Sequence, residues 1–260
     1  MAPSHVTPDP GGHIVHGSTI GQVWQQVIGT QPTPPLTLVL VTAVAALVVV
    51  LFGPVWRVAR NVVTIAHEGG HALVALLSGR RLTGIRLHSD TSGVTVSVGK
   101  RTGPGMVFTG LAGYVTPSLL GLGCAALLTV NHLTALLWIG LLLLAAMLVM
   151  IRNAYGVVSV VATGVLLFLV SWFTSATVQA AVAYLITWFL LFGGIRPVYE
   201  LQLKRSRRQA PDSDADQLHR LTGVPGLAWV TVFGLVAVGC LLVGGYWLVP
   251  DLPTFGDLTS

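Results

Sequence analysis

His67-Glu68-Gly69-Gly70-His71 sets two imidazoles and a carboxylate inside an apolar stretch, 62–78. Histidines four apart share one face of a helix, a turn apart, where both rings can hold a single Zn²⁺. Glu68, beside the first histidine, is then placed to take a proton from a water that the metal polarises. The five-residue match is moderately specific in a soluble domain. In hydrocarbon it is far more telling, because ionisable residues there are costly and usually functional. Of the nine acidic residues, Glu68 alone falls within an apolar segment. A carboxylate so placed is neutral, paired or bound to a cation, and zinc on His67 and His71 would be that cation. The bland alternative is a buried polar cluster that only joins helices.

The elements that must position these residues follow from composition. The chain has 260 residues, 53% hydrophobic and 9% charged, with a mean hydropathy of +0.78. Soluble domains carry about 25% charged residues, so an integral membrane protein is expected. Seven apolar stretches recur, at 36–52, 62–78, 106–130, 134–151, 157–173, 177–192 and 227–249. Several approach the roughly 20 residues that a bilayer core demands. The fold class expected is therefore all-α and polytopic, with about six or seven transmembrane helices and one short β-hairpin after the metal-motif helix.

Residues 1–35 hold no Lys or Arg and are rich in Pro, Gly and His. They read as a disordered lead-in rather than a signal peptide, with His5, His13 and His16 as scattered polar residues. One membrane domain is expected over 36–250, with a basic loop at 196–226 and a tail at 251–260. Cys124 and Cys240 lie in apolar stretches and suggest neither a ligand pair nor a disulfide. The pI near 9.7 comes from loop Arg and Lys, so it describes membrane orientation and excludes no lipid contact, but offers nothing for nucleic acid.

All fourteen Lys and Arg residues fall in loops. Seven full spans with a cytoplasmic N-terminus leave Arg57 and Arg60 outside and the other twelve inside. A re-entrant motif helix gives six spans, an external N-terminus and all fourteen inside. Charge counting favours six; the length of the motif helix favours seven, the reading adopted here. Both put the loops after the motif helix and after Phe192 on the cytoplasmic side.

Around the motif, Gly69 and Gly70 each weaken the helix by about 1 kcal/mol against Ala, and leave room for a neighbouring helix or a substrate backbone. Alternation at Ile85/Leu87 and at Val94/Val96/Val98 indicates two short strands about a turn at 89–93. Such a hairpin either offers an edge to an extended peptide or merely connects spans. Gly113, Pro117 and Gly121 recur every four residues on one face, which predicts a close helix contact and a kink. Asn153 interrupts two apolar runs, as a hydrogen-bonding residue near the site or as a loop cap.

With these pieces in view the chain resembles the site-2 protease family of intramembrane zinc metallopeptidases, in its small bacterial branch without a peptide-binding insert. The likeness rests on His67-Glu68-x-x-His71, the hairpin and the Gly113-Tyr114-x-x-Pro117 span, with weaker support from Ser213-Asp214-Ala215. It implies His67 and His71 as zinc ligands, Glu68 as catalytic base, and a bacterial plasma membrane with the site reached from the cytoplasm. The family's third ligand, an aspartate on a later helix after Asn-x-x-Pro, has no counterpart in 157–164. Catalytic zinc ordinarily takes three protein ligands. The candidates are Asp90, His88, His132, Glu200, Asp212, Asp214, Asp216 and His219. Asp214 is favoured, since its segment shares the hairpin's side and precedes the last span; Ser213-x-x-Asp216 is equally an ordinary helix cap.

The expected function is hydrolysis of peptide bonds in or near transmembrane segments of membrane proteins. The alternative is a non-catalytic, zinc-stabilised membrane scaffold or a metal transporter; a transporter would place ligands along successive spans, and the other spans lack acids.

Overall fold

The computed structural model describes residues 20–210 and 212–249. The histidines at 5, 13 and 16 and the tail at 251–260 lie outside them. Within the stretch expected to be a disordered lead-in, α1 (Ile20–Ile28) is a short helix.

The membrane region opens with α2 (Leu36–Leu51), which Pro35 precedes. α3 (Gly53–Leu77) follows after a single residue and turns by 101°. Pro54 stands in the first turn of α3, where its missing N–H costs nothing and its fixed φ suits a helix start. The Arg196 guanidinium donates to the Val50 carbonyl, satisfying the end of α2 at the bend. Among the described residues, five more helices are long and apolar enough to cross a bilayer: α4 (Pro104–Thr129), α5 (Leu133–Met150), α6 (Ala154–Phe173), α7 (Ala176–Ser206) and α9 (Gly226–Leu248). The bent pair makes a sixth crossing at most, so the expectation of seven spans is corrected. Hydropathy locates apolar length but carries no angle, and the bend cannot be read from it.

Between α3 and α4 stands the hairpin, β1 (Arg81–Leu87) and β2 (Gly93–Val98), antiparallel with Arg81 opposite Val98 and Leu87 opposite Gly93. Its turn closes through His88 N–H to Ser92 O at 2.8 Å, with Thr91 in the left-handed region at φ 65°. The outer edge of β1 is taken. Arg152 N–H donates to Ile85 O at 2.9 Å, and the Asn153 amide bonds both the N–H and the C=O of Leu87. Asn153 thus serves the sheet, pinning the α5–α6 turn to β1.

Three apolar clusters hold these parts. The main one joins α2, α3, α4, α5, α7 and α9. A second, with Ile85 and Leu87, seats the hairpin on α3, α5 and α6. The third packs Ala215 and Leu218 of α8 (Asp214–Thr222) against Val198, Val230 and Phe233.

Candidate metal centre

The helical spacing of the motif makes its first contribution locally: His67 and His71 lie one turn apart on α3, with ring centroids 4.7 Å apart and Nε2 atoms 3.1 Å apart. Asp214, at the first position of α8, reaches both: its Oδ2 stands 3.3 Å from each Nε2. These three are the group of His, Cys, Asp and Glu whose donor atoms converge among the described residues. The other third-ligand candidates are engaged elsewhere. Asp90 accepts from Ser92, Glu200 from Trp56 and Arg196, Asp216 from Ser213, and Asp212 pairs with Arg220. His132 and His219 contact the Gly29 and Val224 carbonyls, and His88 faces Ser92.

The donor triangle can be tested against a tetrahedral ion. Ligand atoms about 2.0–2.1 Å from zinc stand roughly 3.3 Å from one another, which is the spacing found. The tautomer agrees. His71 Nδ1–H donates to the Thr109 carbonyl at 2.7 Å, so the neutral ring turns a lone pair at Nε2 toward the triangle. Two imidazole nitrogens and one carboxylate oxygen are ligands that suit zinc, and the residues present fit it. The side chains of His67, His71 and Asp214 keep 21%, 12% and 15% of their surface accessible, so the triangle is reachable.

Asp214 is held from its own side. Ser213 caps α8 by accepting from the Asp216 N–H, and Arg205 at the end of α7 donates to both Ser213 and Asp216. Capping and delivery of Asp214, alternatives at the level of sequence, coexist in one turn. Burial pushes the Asp214 carboxyl up, but His71 and His67 in their protonated, imidazolium form, with no metal between them, outweigh it and hold the group well below the usual carboxylate range.

Glu68 is buried, 3% exposed, against the hairpin. Its Oε2 accepts from Thr95 Oγ1 of β2 at 2.6 Å, and the same hydroxyl lies 3.1 Å from its backbone carbonyl. Gly93 makes this approach possible, since a Cβ there would stand 2.6 Å from Glu68 Oε1. Gly113 does the same for the imidazoles: a Cβ would fall 2.6 Å from Cε1 of each ring. Gly70 is the tight helix contact, meeting Thr116 and Ala112, whereas nothing lies within 4 Å of a Cβ on Gly69. Tyr114 braces the His67 ring edge-on, centroids 4.8 Å apart, and itself stacks on Phe233.

Sequence reasoning missed Thr95, Thr109 and the ring-facing role of Gly113. Only Thr95 carried a signal, as the polar residue on the face opposite Val94, Val96 and Val98.

No individually curated protein and no solved structure matches the chain. The Peptidase M50B-like family matches residues 40–244, from within α2 to within α9, and so takes in every element around the triangle. The chain belongs to the Peptidase M50B-like family, membrane metallopeptidases of the site-2 protease type.

Proposed function

We propose that this chain is a zinc-dependent endopeptidase that cuts peptide bonds in or near transmembrane segments of other membrane proteins. His67, His71 and Asp214 hold the ion, and Glu68 is the catalytic residue. The observation that carries this reading is the 3.1–3.3 Å triangle of donor atoms beside a buried glutamate on the same helix.

Zinc at the triangle would supply a positive charge that acidifies a water and polarises the scissile carbonyl. The remaining steps belong to the protein. Thr95 holds Oε2 of Glu68, which leaves Oε1 to accept a proton as the water oxygen attacks the carbonyl carbon. Glu68 then gives that proton to the amide nitrogen as the C–N bond breaks. The substrate must lie extended. β1 is occupied on its outer edge by Ile151, Arg152 and Asn153, while β2 has no second strand partner among the described residues. That free edge supports pairing with an unwound segment, and the exposed Val94, Val96 and Val98 suit an apolar one.

The test uses purified protein, metal analysis and a membrane-protein substrate. Glu68→Gln should keep about one zinc per chain and lose cleavage by at least about a hundredfold. Asp214→Asn should lose zinc as well as activity. Wild-type levels of cleavage by Glu68→Gln would remove Glu68 as the catalytic residue, and unchanged biological activity without cleavage would leave a zinc-stabilised scaffold.

A further inference from the structure

Away from the metal centre, a cavity of about 670 Å³ opens between the start of α3, the hairpin turn and the end of α7. None of the metal-centre residues lines it. Five cationic side chains do, Arg57, Arg60, Arg196, Lys204 and Arg207, against the carboxylates of Asp90 and Glu200. Both acids are already committed. Glu200 is shared by Arg60 at 3.4 Å and Arg196 at 3.0 Å, and Asp90 accepts the Ser92 N–H and hydroxyl within its own turn. Arg196 is further fixed over the Trp56 ring, 4.8 Å from its centroid. Arg57, Lys204 and Arg207, by contrast, have no side-chain hydrogen bond or ion pair among the described residues.

We propose that this cavity binds the phosphate headgroup of an anionic phospholipid. Three uncommitted cations from two different helices around one cavity make it electropositive and suit it to an anion. A lipid is favoured over a soluble phosphate or an acidic peptide by what adjoins the cavity. Leu51, Phe52, Val55 and Val58, which flank Arg57 at the α2–α3 bend, are exposed, Val58 by 75%. An apolar surface beside a basic cavity takes acyl chains and headgroup together. The position has a consequence for the hairpin: Thr91 lines the cavity, and its carbonyl accepts from Thr64 of α3 at 2.8 Å. A bound headgroup therefore touches the turn that continues into β2.

The test is native mass spectrometry of the full chain, stripped of lipid and titrated with phosphatidylglycerol or phosphatidylcholine. The expected result is retention of one phosphatidylglycerol, at least about tenfold tighter than phosphatidylcholine. The triple variant Arg57→Gln/Lys204→Gln/Arg207→Gln should bind it about a hundredfold more weakly. A control removing as much charge elsewhere, Arg81→Gln/Lys100→Gln/Arg101→Gln, should bind as the parent does. Equal loss in the control would reduce the effect to diffuse surface charge and overturn the assignment. So would wild-type binding by the triple variant while it melts at the parent temperature. Displacement of the lipid by glycerol phosphate or by an acidic peptide at matching concentration would also overturn it, in favour of a soluble ligand. Zinc content, measured in parallel, should be the same in all three proteins.

Discussion

At the scale of single residues the centre depends on positions that carry no chemistry of their own. Thr95 is expected to act as a positioning residue: its hydroxyl donates to Oε2 of Glu68 and leaves Oε1 for the proton transfer proposed above. Thr95→Val should lower kcat by about tenfold, the worth of one charge-assisted hydrogen bond. Zinc content and substrate KM should not move, and Thr95→Ser should restore the rate. A rise in KM with unchanged kcat would assign Thr95 to substrate binding instead. Gly113 acts by absence. Gly113→Ala drives a methyl into both imidazoles, so zinc binding should fall by at least about tenfold, as read by competition with a chelator. The contrast with the motif explains what was legible. His67, Glu68 and His71 are visible in sequence because helix geometry relates neighbours four apart. Thr95 and Gly113 meet them only across elements, and a glycine that makes room looks the same in sequence as one that packs a helix.

At the scale of elements, the centre is a meeting of three supports: α3 brings the rings, β2 the hydroxyl, and α8 the carboxylate. The hairpin was legible from alternation, since a two-residue period over Val94, Val96 and Val98 admits few other structures. Its third neighbour was not. The backbone of Ile151 and Arg152 and the amide of Asn153 complete the β1 edge from far along the chain, and no local pattern encodes a non-local pairing. α8 carries a different lesson. The Ser213-x-x-Asp216 cap and a metal-ligand aspartate competed as readings of the same four residues, yet the cap is what orients Asp214 at the helix start. The Arg205 clamp should then govern metal affinity from a distance. Arg205→Gln releases Ser213 and Asp216 from α7, and zinc affinity should drop by about tenfold although no ligand is touched. An unchanged affinity would mean that the packing of Leu218 and Ala215 alone seats α8.

At the scale of the whole molecule, the contacts at each end decide how the chain threads the bilayer. Before α2, Gln31 N–H donates to Asn131 O at 2.9 Å and Thr33 bonds the Asn131 side chain, so this segment sits with the α4–α5 turn. At the far end of α2, Arg57 and Arg60 share a cavity with the hairpin turn and with Arg196, Lys204 and Arg207. α2 thus crosses from one end of the bundle to the other. α3 starts and finishes at the second end, where Ser78 lies against the start of α4 at Gly105. These contacts fit the six-span arrangement with a re-entrant motif helix, which gathers all fourteen Lys and Arg residues at one end. The charge count favours this arrangement, and α3, although long, is apolar enough to cross only as part of the bent pair with α2. Its first half holds Arg57, Arg60 and Asn61, which suit an interface better than hydrocarbon. The positive-inside rule predicts that this end will face the cytoplasm. Single cysteines in a Cys124→Ser/Cys240→Ser background can check it. Thr33→Cys should react with an impermeant maleimide from outside intact cells. Lys100→Cys and Arg57→Cys should react only after the membrane is opened. Labelling of Arg57→Cys from outside would restore seven spans. It would also separate Arg57 from Lys204 by the width of the membrane, which the shared cavity does not allow.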